Sequence, residues 1–188
     1  MKNFKSFFLV GVLALVATSL LSCALFTTPQ ASQKTVIYVV RHAEKAPSSG
    51  AMTDDPELSA AGQKRALDLL SKLGKEPIAA FFATKYKRTQ LTLQPLAQAK
   101  KQTVQQYDAG NATQLAQNLS QNFTGKTVVV AGHSNTVLSI IEALGAKKPL
   151  TEVADHQYDY LFKVTLQQGK EPQVEVSTYG DASVAPAK

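Results

Sequence analysis

Three short runs of this chain are apolar almost without interruption: TVIYVV at 35–40, PIAAFFA at 77–83 and TVVVAG at 127–132. A strand of that kind has no face to show to water, so it must be covered on both sides. The segments between them carry a helical period instead. SAAGQKRALDLLSKLG, at 59–74, sets Ala61, Ala66, Leu67, Leu69, Leu70 and Leu73 mostly on one face, with Gly74 as a stop. RTQLTLQPLAQA, at 88–99, reads as a helix that Pro95 must kink or interrupt. KQTVQQYD is a short edge strand, NATQLAQNLS a short helix with Asn111 as N-cap, and SNTVLSIIEALGA an apolar helix with a glycine stop. YDYLFKVTLQ and PQVEVSTYG alternate better and form a terminal hairpin-like pair around QQGKE. Strand–helix alternation predicts an α/β domain with a mainly parallel sheet and right-handed crossovers.

At 188 residues the chain suits one domain with a substantial core, and no internal repeat divides it. The expected divisions are 1–22, a signal peptide; 23–34, a polar tether; 35–180, the folded domain; and 181–188, a disordered tail. Lys2 and Lys5 precede an uncharged apolar run from Phe7 to Leu21, short for a spanning helix of about 20 residues. The run ends in LLSC, whose Cys23 is the only cysteine and so has no disulfide partner within the chain. This segment resembles a bacterial lipobox. The resemblance implies export, lipidation of Cys23 and a membrane-anchored lipoprotein of the cell envelope. An ordinary cleaved signal peptide and an uncleaved anchor with a buried thiol are the other readings. Removing 1–22 takes away Lys2 and Lys5, so the formal net charge of +6 falls to +4.

In open α/β sheets, ligands bind beyond the carboxyl ends of the strands. Arg41 and His42 follow the first apolar run, Arg88 lies just after the second, and His133 follows the third, directly before Ser134 and Asn135. Two arginines and two histidines are thereby expected along one sheet edge. Guanidinium forks match phosphoryl oxygens bidentately, and a helix N-terminus at Ser134–Thr136 would add backbone donors. Histidines in such a cationic site should have depressed pKa values, leaving one neutral imidazole able to attack phosphorus. The pattern suits nucleophilic catalysis with an electrostatic clamp and needs no cofactor or metal. The three histidines and single cysteine show no metal-ligand spacing, and no basic stretch with interleaved aromatics suggests a nucleic-acid partner.

RHAE at 41–44, KRTQLTLQPLA at 87–97 and VVVAGHSNTV at 128–137 together resemble the histidine phosphatase superfamily, in the branch that includes phosphoglycerate mutases. The resemblance spans about residues 35–145. It implies a three-layer α/β sandwich, a phosphorylated nucleophile at His42, and a phosphate pocket completed by Arg41, Arg88 and His133, with Asn135 as neighbour. A small phosphorylated substrate would be hydrolysed, either a phosphomonoester or phosphohistidine. The short stretch between His42 and Arg88 leaves little room for the substrate cap of a mutase. No carboxylate stands out as proton donor; Glu44, Asp54, Asp55, Glu57 and Asp108 are the candidates, and His156 has no motif around it. Two other readings remain at this level. One is a phosphate-binding lipoprotein without turnover. The other is a serine hydrolase, since GHSNT resembles a G-x-S-x-G elbow with Ser134 as nucleophile and only Asp155 and His156 to complete a triad.

Overall fold

Successive side chains of a strand point to opposite faces, so the continuous apolar runs need a layer of helices on each side. The computed structural model, which describes residues 33–48, 50 and 55–185, supplies both layers. Six strands, β1 (Lys34–Arg41), β2 (Ile78–Ala83), β3 (Val104–Gln106), β4 (Thr127–Gly132), β5 (Tyr160–Gln167) and β6 (Gln173–Thr178), form one sheet in the order β3-β2-β4-β1-β5-β6. The first four in that order are parallel, while β5 runs antiparallel to β1 and β6 antiparallel to β5. Four helices connect them: α1 (Ala60–Leu73), α2 (Lys87–Ala99), α3 (Ala112–Asn122) and α4 (Val137–Ala143). Ile37, Val39, Val128 and Val130 pack toward Leu119 of α3 and Ile140 and Ile141 of α4. The alternate residues Tyr38, Val40, Val129 and Ala131 pack toward Leu69 of α1 and Leu93 and Leu96 of α2. The result is the mainly parallel three-layer α/β architecture expected from the sequence.

Local chemistry departs from expectation in four places. The buried stripe of α1 is Gly62, Arg65, Ala66, Leu69 and Leu73, while Ala61 and Leu67 face solvent. Arg65 can be hidden because its guanidinium meets the Glu44 carboxylate at 2.7 Å. Gly74 does not use its left-handed freedom, with φ at −61°. The end of α1 is tied down instead by Lys100, whose Nζ donates to the carbonyls of Gly74 and Glu76, both at 2.7 Å, a favourable place for a cation. Third, α2 runs unbroken through Pro95, with Leu93, Leu96 and Ala97 buried on either side of it; tertiary burial outweighs the lost backbone bond. Fourth, the tail is held against the domain at its start. Ser183 Oγ accepts from Tyr158 N at 2.8 Å, and Asp181 meets Lys64 at 3.0 Å, so the expected disorder from 181 does not describe these residues.

Asn111 caps α3 as expected, its Oδ1 accepting from Gln114 N at 3.0 Å. The proposed signal peptide, Cys23, nearly all of the tether and Asp54 lie outside the described residues. Among the described residues, no helix is long and apolar enough to cross a membrane.

Candidate active site

Strand register decides which side chains meet. Arg41 lies opposite Gly132 in the β1–β4 ladder, and Ala83 opposite Ala131 in the β2–β4 ladder. The carboxyl ends of three neighbouring strands therefore stop at one level, and His42 N donates to Gly132 O at 2.9 Å. Beyond them lies a cavity of about 510 Å³ whose lining includes Arg41, His42, Arg88, His133 and Asn135. Gly132 permits the tight turn that follows β4, because a Cβ there would stand 2.9 Å from Thr136 Oγ1 and 3.1 Å from the Tyr107 hydroxyl.

His42 and His133 face each other edge-on, with ring centroids 5.4 Å apart. His42 Nδ1 lies 2.8 Å from Ala43 O. A carbonyl only accepts, so the neutral ring carries its proton on Nδ1 and leaves Nε2 bare. Burial, then the nearby cations Arg41, Arg88 and His133, push the His42 pKa down to about 3. Burial followed by Arg88 and Arg41 pushes that of His133 down to about 4. The sequence anticipates the direction from charge alone; burial is the larger cause. Both rings are neutral near pH 7 while the pocket holds no anion.

The two arginines differ in their freedom. Arg41 Nη1 donates to the carbonyls of Ala154 and Asp155, each at 2.9 Å, and of Gln157 at 3.1 Å. It thus holds the 154–157 loop in place, while its Nε is buried without a hydrogen-bond partner. Such an orphaned donor is costly unless a ligand answers it. The guanidinium also lies over the Tyr158 ring, 4.1 Å from its centroid. Arg88 stacks on Tyr86 at 4.4 Å and meets Asp55 Oδ1 at 3.5 Å.

This pairing of two neutral histidines with two guanidinium groups at adjoining strand ends is the geometry against which known families can be compared. Residues 37–110 match the histidine phosphatase superfamily (branch 1). That match supports the superfamily and contains Arg41, His42 and Arg88, with His133 beyond it. No curated protein sequence matches this chain significantly. Among solved structures, mycobacterial glucosyl-3-phosphoglycerate phosphatase aligns over 78% of this chain and 99% of its own, at 14% identity and a TM-score of 0.61. The protein histidine phosphatase SixA, complexed with tungstate, aligns over 76% of this chain and 96% of its own, at 17% identity and a TM-score of 0.58. Phosphoserine phosphatase from Entamoeba histolytica, in complex with 3-phosphoglyceric acid, covers 79% of this chain and 98% of its own, at 13% identity and a TM-score of 0.57. At such identities the likeness is one of fold, and the fold is that of the phosphoglycerate mutase-like phosphatases.

The remaining expectations for a histidine phosphatase site fare unequally. The helix after His133 starts at Val137 instead of Ser134. Residues 134–136 form a turn in which His133 O accepts from both Thr136 N and Val137 N, each at 3.0 Å. Asn135 lines the cavity from that turn, as an exposed residue. Of the acid candidates, Glu44 is clamped by Arg65 Nε at 2.9 Å, and Glu57 meets Lys87 at 3.3 Å. Asp55 accepts from Lys87 N at the start of α2, at 3.0 Å, and Asp108 accepts from Gly110 N at 2.9 Å. None of these four lines the cavity; among the described residues, Asp155 is the carboxylate that does. Ser134 Oγ donates to Asp155 Oδ1 at 3.4 Å, and His156 lines a different cavity, so no Ser–His–Asp triad forms. Among the described residues, no three His, Cys, Asp or Glu side chains are grouped to hold a metal.

Sequence reasoning did not find Tyr86, Tyr158 or Thr84. Tyr86 sits two residues before Arg88 and was within reach as part of the same motif. Tyr158 arrives only because Arg41 binds the loop preceding it, a contact across more than one hundred residues that no local pattern encodes.

Proposed function

We propose that this protein is a phosphatase that works through a phosphohistidine on His42. The observation that carries the reading is a neutral His42, its Nδ1 bonded to Ala43 O and its Nε2 left bare, lining one cavity together with Arg41, Arg88 and His133. In the first step the Nε2 lone pair attacks phosphorus and the bond from phosphorus to the leaving group breaks. The leaving atom takes its proton from solvent, to which the cavity is open. In the second step water attacks phosphorus, the P–N bond breaks, and inorganic phosphate leaves. Arg88, Arg41 and a His133 protonated in response to the dianion offset the charge on the transferring oxygens. The superfamily match and the fold shared with phosphatases support this reading. The tungstate held by SixA is a further support, as an oxyanion bound by a protein of the same fold. Substrates are phosphomonoesters or phosphohistidine, and no step calls on a metal.

Rapid quenching with a labelled aryl phosphate tests it. Label should appear on the protein in a base-stable, acid-labile linkage and vanish with His42→Ala, with EDTA leaving both results unchanged. Label on Ser134 or on a carboxylate would overturn the proposal. Saturable phosphate affinity without any label would mark a binding protein instead.

We also propose that Cys23 is lipidated and anchors the exported protein to a membrane, on the strength of LLSC after a short apolar run. Cells making the protein should incorporate labelled fatty acid into it, and Cys23→Ser should abolish that labelling. A wild-type protein that takes up no label would end the proposal.

A further inference from the structure

We propose that Thr84 is a positioning residue for His133, and that a one-way chain of hydroxyl protons through Thr84 and Thr89 holds the His133 ring with its proton on Nε2. The inference rests on the phosphatase reading for its consequence, since that reading makes His133 face the phosphoryl group. Its physical basis is independent of any activity.

Thr84 follows β2 directly, and Thr89 lies in the first turn of α2; the two residues are 1% and 0% exposed. With water excluded, each hydroxyl proton must go to a protein acceptor. Thr89 Oγ1 lies 2.7 Å from Tyr86 O and 3.2 Å from Thr84 O. Both are carbonyls, so only the Thr89 proton can fill either contact, whereas the contact with the Thr84 hydroxyl can be filled from its other side; the shorter carbonyl contact, to Tyr86 O, therefore takes the Thr89 proton. The 2.8 Å contact between Thr84 Oγ1 and Thr89 Oγ1 must then be filled by the proton of Thr84. That leaves Thr84 Oγ1 as an acceptor toward its remaining partner, His133 Nε2, at 3.1 Å. A nitrogen facing an acceptor must carry the proton. His133 is thus an Nε2–H ring whose Nδ1 is bare, while His42, bonded to Ala43 O through Nδ1, is the opposite tautomer.

This arrangement has a use. When a phosphoryl dianion enters, His133 can gain a proton on Nδ1 without disturbing the Nε2–H bond to Thr84, so the ring keeps its orientation as its charge changes. One stretch of α2 serves both histidines. Thr92, one turn beyond Arg88, donates to Arg88 O at 2.7 Å and accepts from Ala43 N at 2.8 Å, which steadies the residue whose carbonyl orients His42.

Nitrogen-15 NMR of the ring nitrogens, on the full-length protein without substrate, tests the proposal directly. With three histidines in the chain, assignment by single His→Gln variants is practical. Wild-type protein at pH 7 should show His133 with a protonated Nε2 and a bare Nδ1, and His42 the reverse. Thr84→Val keeps the shape and removes the acceptor. It should shift His133 toward the Nδ1–H tautomer and lower kcat about 10- to 100-fold, as for other partners that orient functional histidines, with a smaller effect on KM. Thr84→Ser should restore both the tautomer and most of the rate. A wild-type His133 protonated on Nδ1, or a Thr84→Val protein that keeps the Nε2–H tautomer, would overturn the inference. If Thr84→Val fails to fold, the wild-type spectrum still decides. Should the protein form no phosphohistidine, the phosphatase reading fails while the tautomer measurement stands by itself.

Discussion

Arg88 is the cleanest single probe of the cavity. Arg41 is committed through Nη1 to three loop carbonyls, so replacing it would loosen the 154–157 loop along with the anion site. Arg88 has no such duty: its side chain is 18% exposed, rests on Tyr86 and meets Asp55 at 3.5 Å, a length a phosphoryl oxygen can better. Arg88→Ala should lower kcat with an aryl phosphate by about 10²–10³, roughly 3–4 kcal/mol of transition-state stabilisation. Arg88→Lys should recover only part of that, because an ammonium cannot present a planar fork. Steady-state kinetics on the two variants check this, and wild-type rates in both would place Arg88 outside the reaction. At this scale much was legible. An arginine or histidine at the end of an apolar run is an anomaly visible in one dimension; Arg41, His42 and His133 announce themselves that way, and Arg88 follows the second run within a few residues. Asp155 and Tyr158 do not, because their place in the cavity comes from a loop that Arg41 binds.

Helix α1 shows how an element can hide a charge. Arg65 Nε and Nη2 meet both oxygens of Glu44, Nη1 donates to Tyr179 O at 3.0 Å, and the side chain is 5% exposed. Glu44 comes two residues after the candidate nucleophile, so this pair ties α1 to the segment that leads away from His42. Removing one member of a largely buried pair leaves the other uncompensated, which commonly costs about 3–5 kcal/mol. Glu44 keeps 23% of its side-chain exposure, and the lower end of that range is expected for Arg65→Ala. Urea unfolding would measure it; a loss under about 1 kcal/mol would show that water replaces the guanidinium. A hydrophobic pattern cannot reveal such a residue, since an arginine on a helix reads as surface until its partner is known. Pro95 misleads in the opposite sense, being a strong local breaker inside a helix that its neighbours bury on both sides.

The whole molecule carries the titration of the two facing histidines as a stability term. Their folded pKa values, about 3 for His42 and about 4 for His133, lie below the ordinary value of 6.5. Above pH 6.5 both rings are neutral in the folded and unfolded chains, and they contribute no pH dependence. Between about pH 6.5 and 4 the unfolded chain binds these protons and the folded one does not, so stability falls as pH falls. Denaturant unfolding of the wild type at pH 7 and pH 5 should show that loss. The double variant His42→Asn, His133→Asn should show clearly less of it. Equal losses in the two proteins would mean that the rings are solvated and already free to charge. Added phosphate should work against the loss, because a bound dianion favours the protonated His133.

The strands, their both-faced burial and the α/β class were determined by the sequence alone, because hydrophobic period and β-branching act over a few residues and need no partner to be read. The order of strands in the sheet was not, and neither was the antiparallel addition of β5 and β6 beside β1, since these depend on which surfaces find each other at long range. The same division runs through the site. Four charged or imidazole side chains at strand ends are a local signal. Their tautomers, the orphaned Nε of Arg41, the Thr84–Thr89 chain and the presence of Asp155 at the cavity, where Glu44, Asp55, Glu57 and Asp108 are absent, were decided by tertiary structure. Each of these depends on where a proton can go, and that is settled only when distant acceptors are brought within about 3 Å and water is shut out.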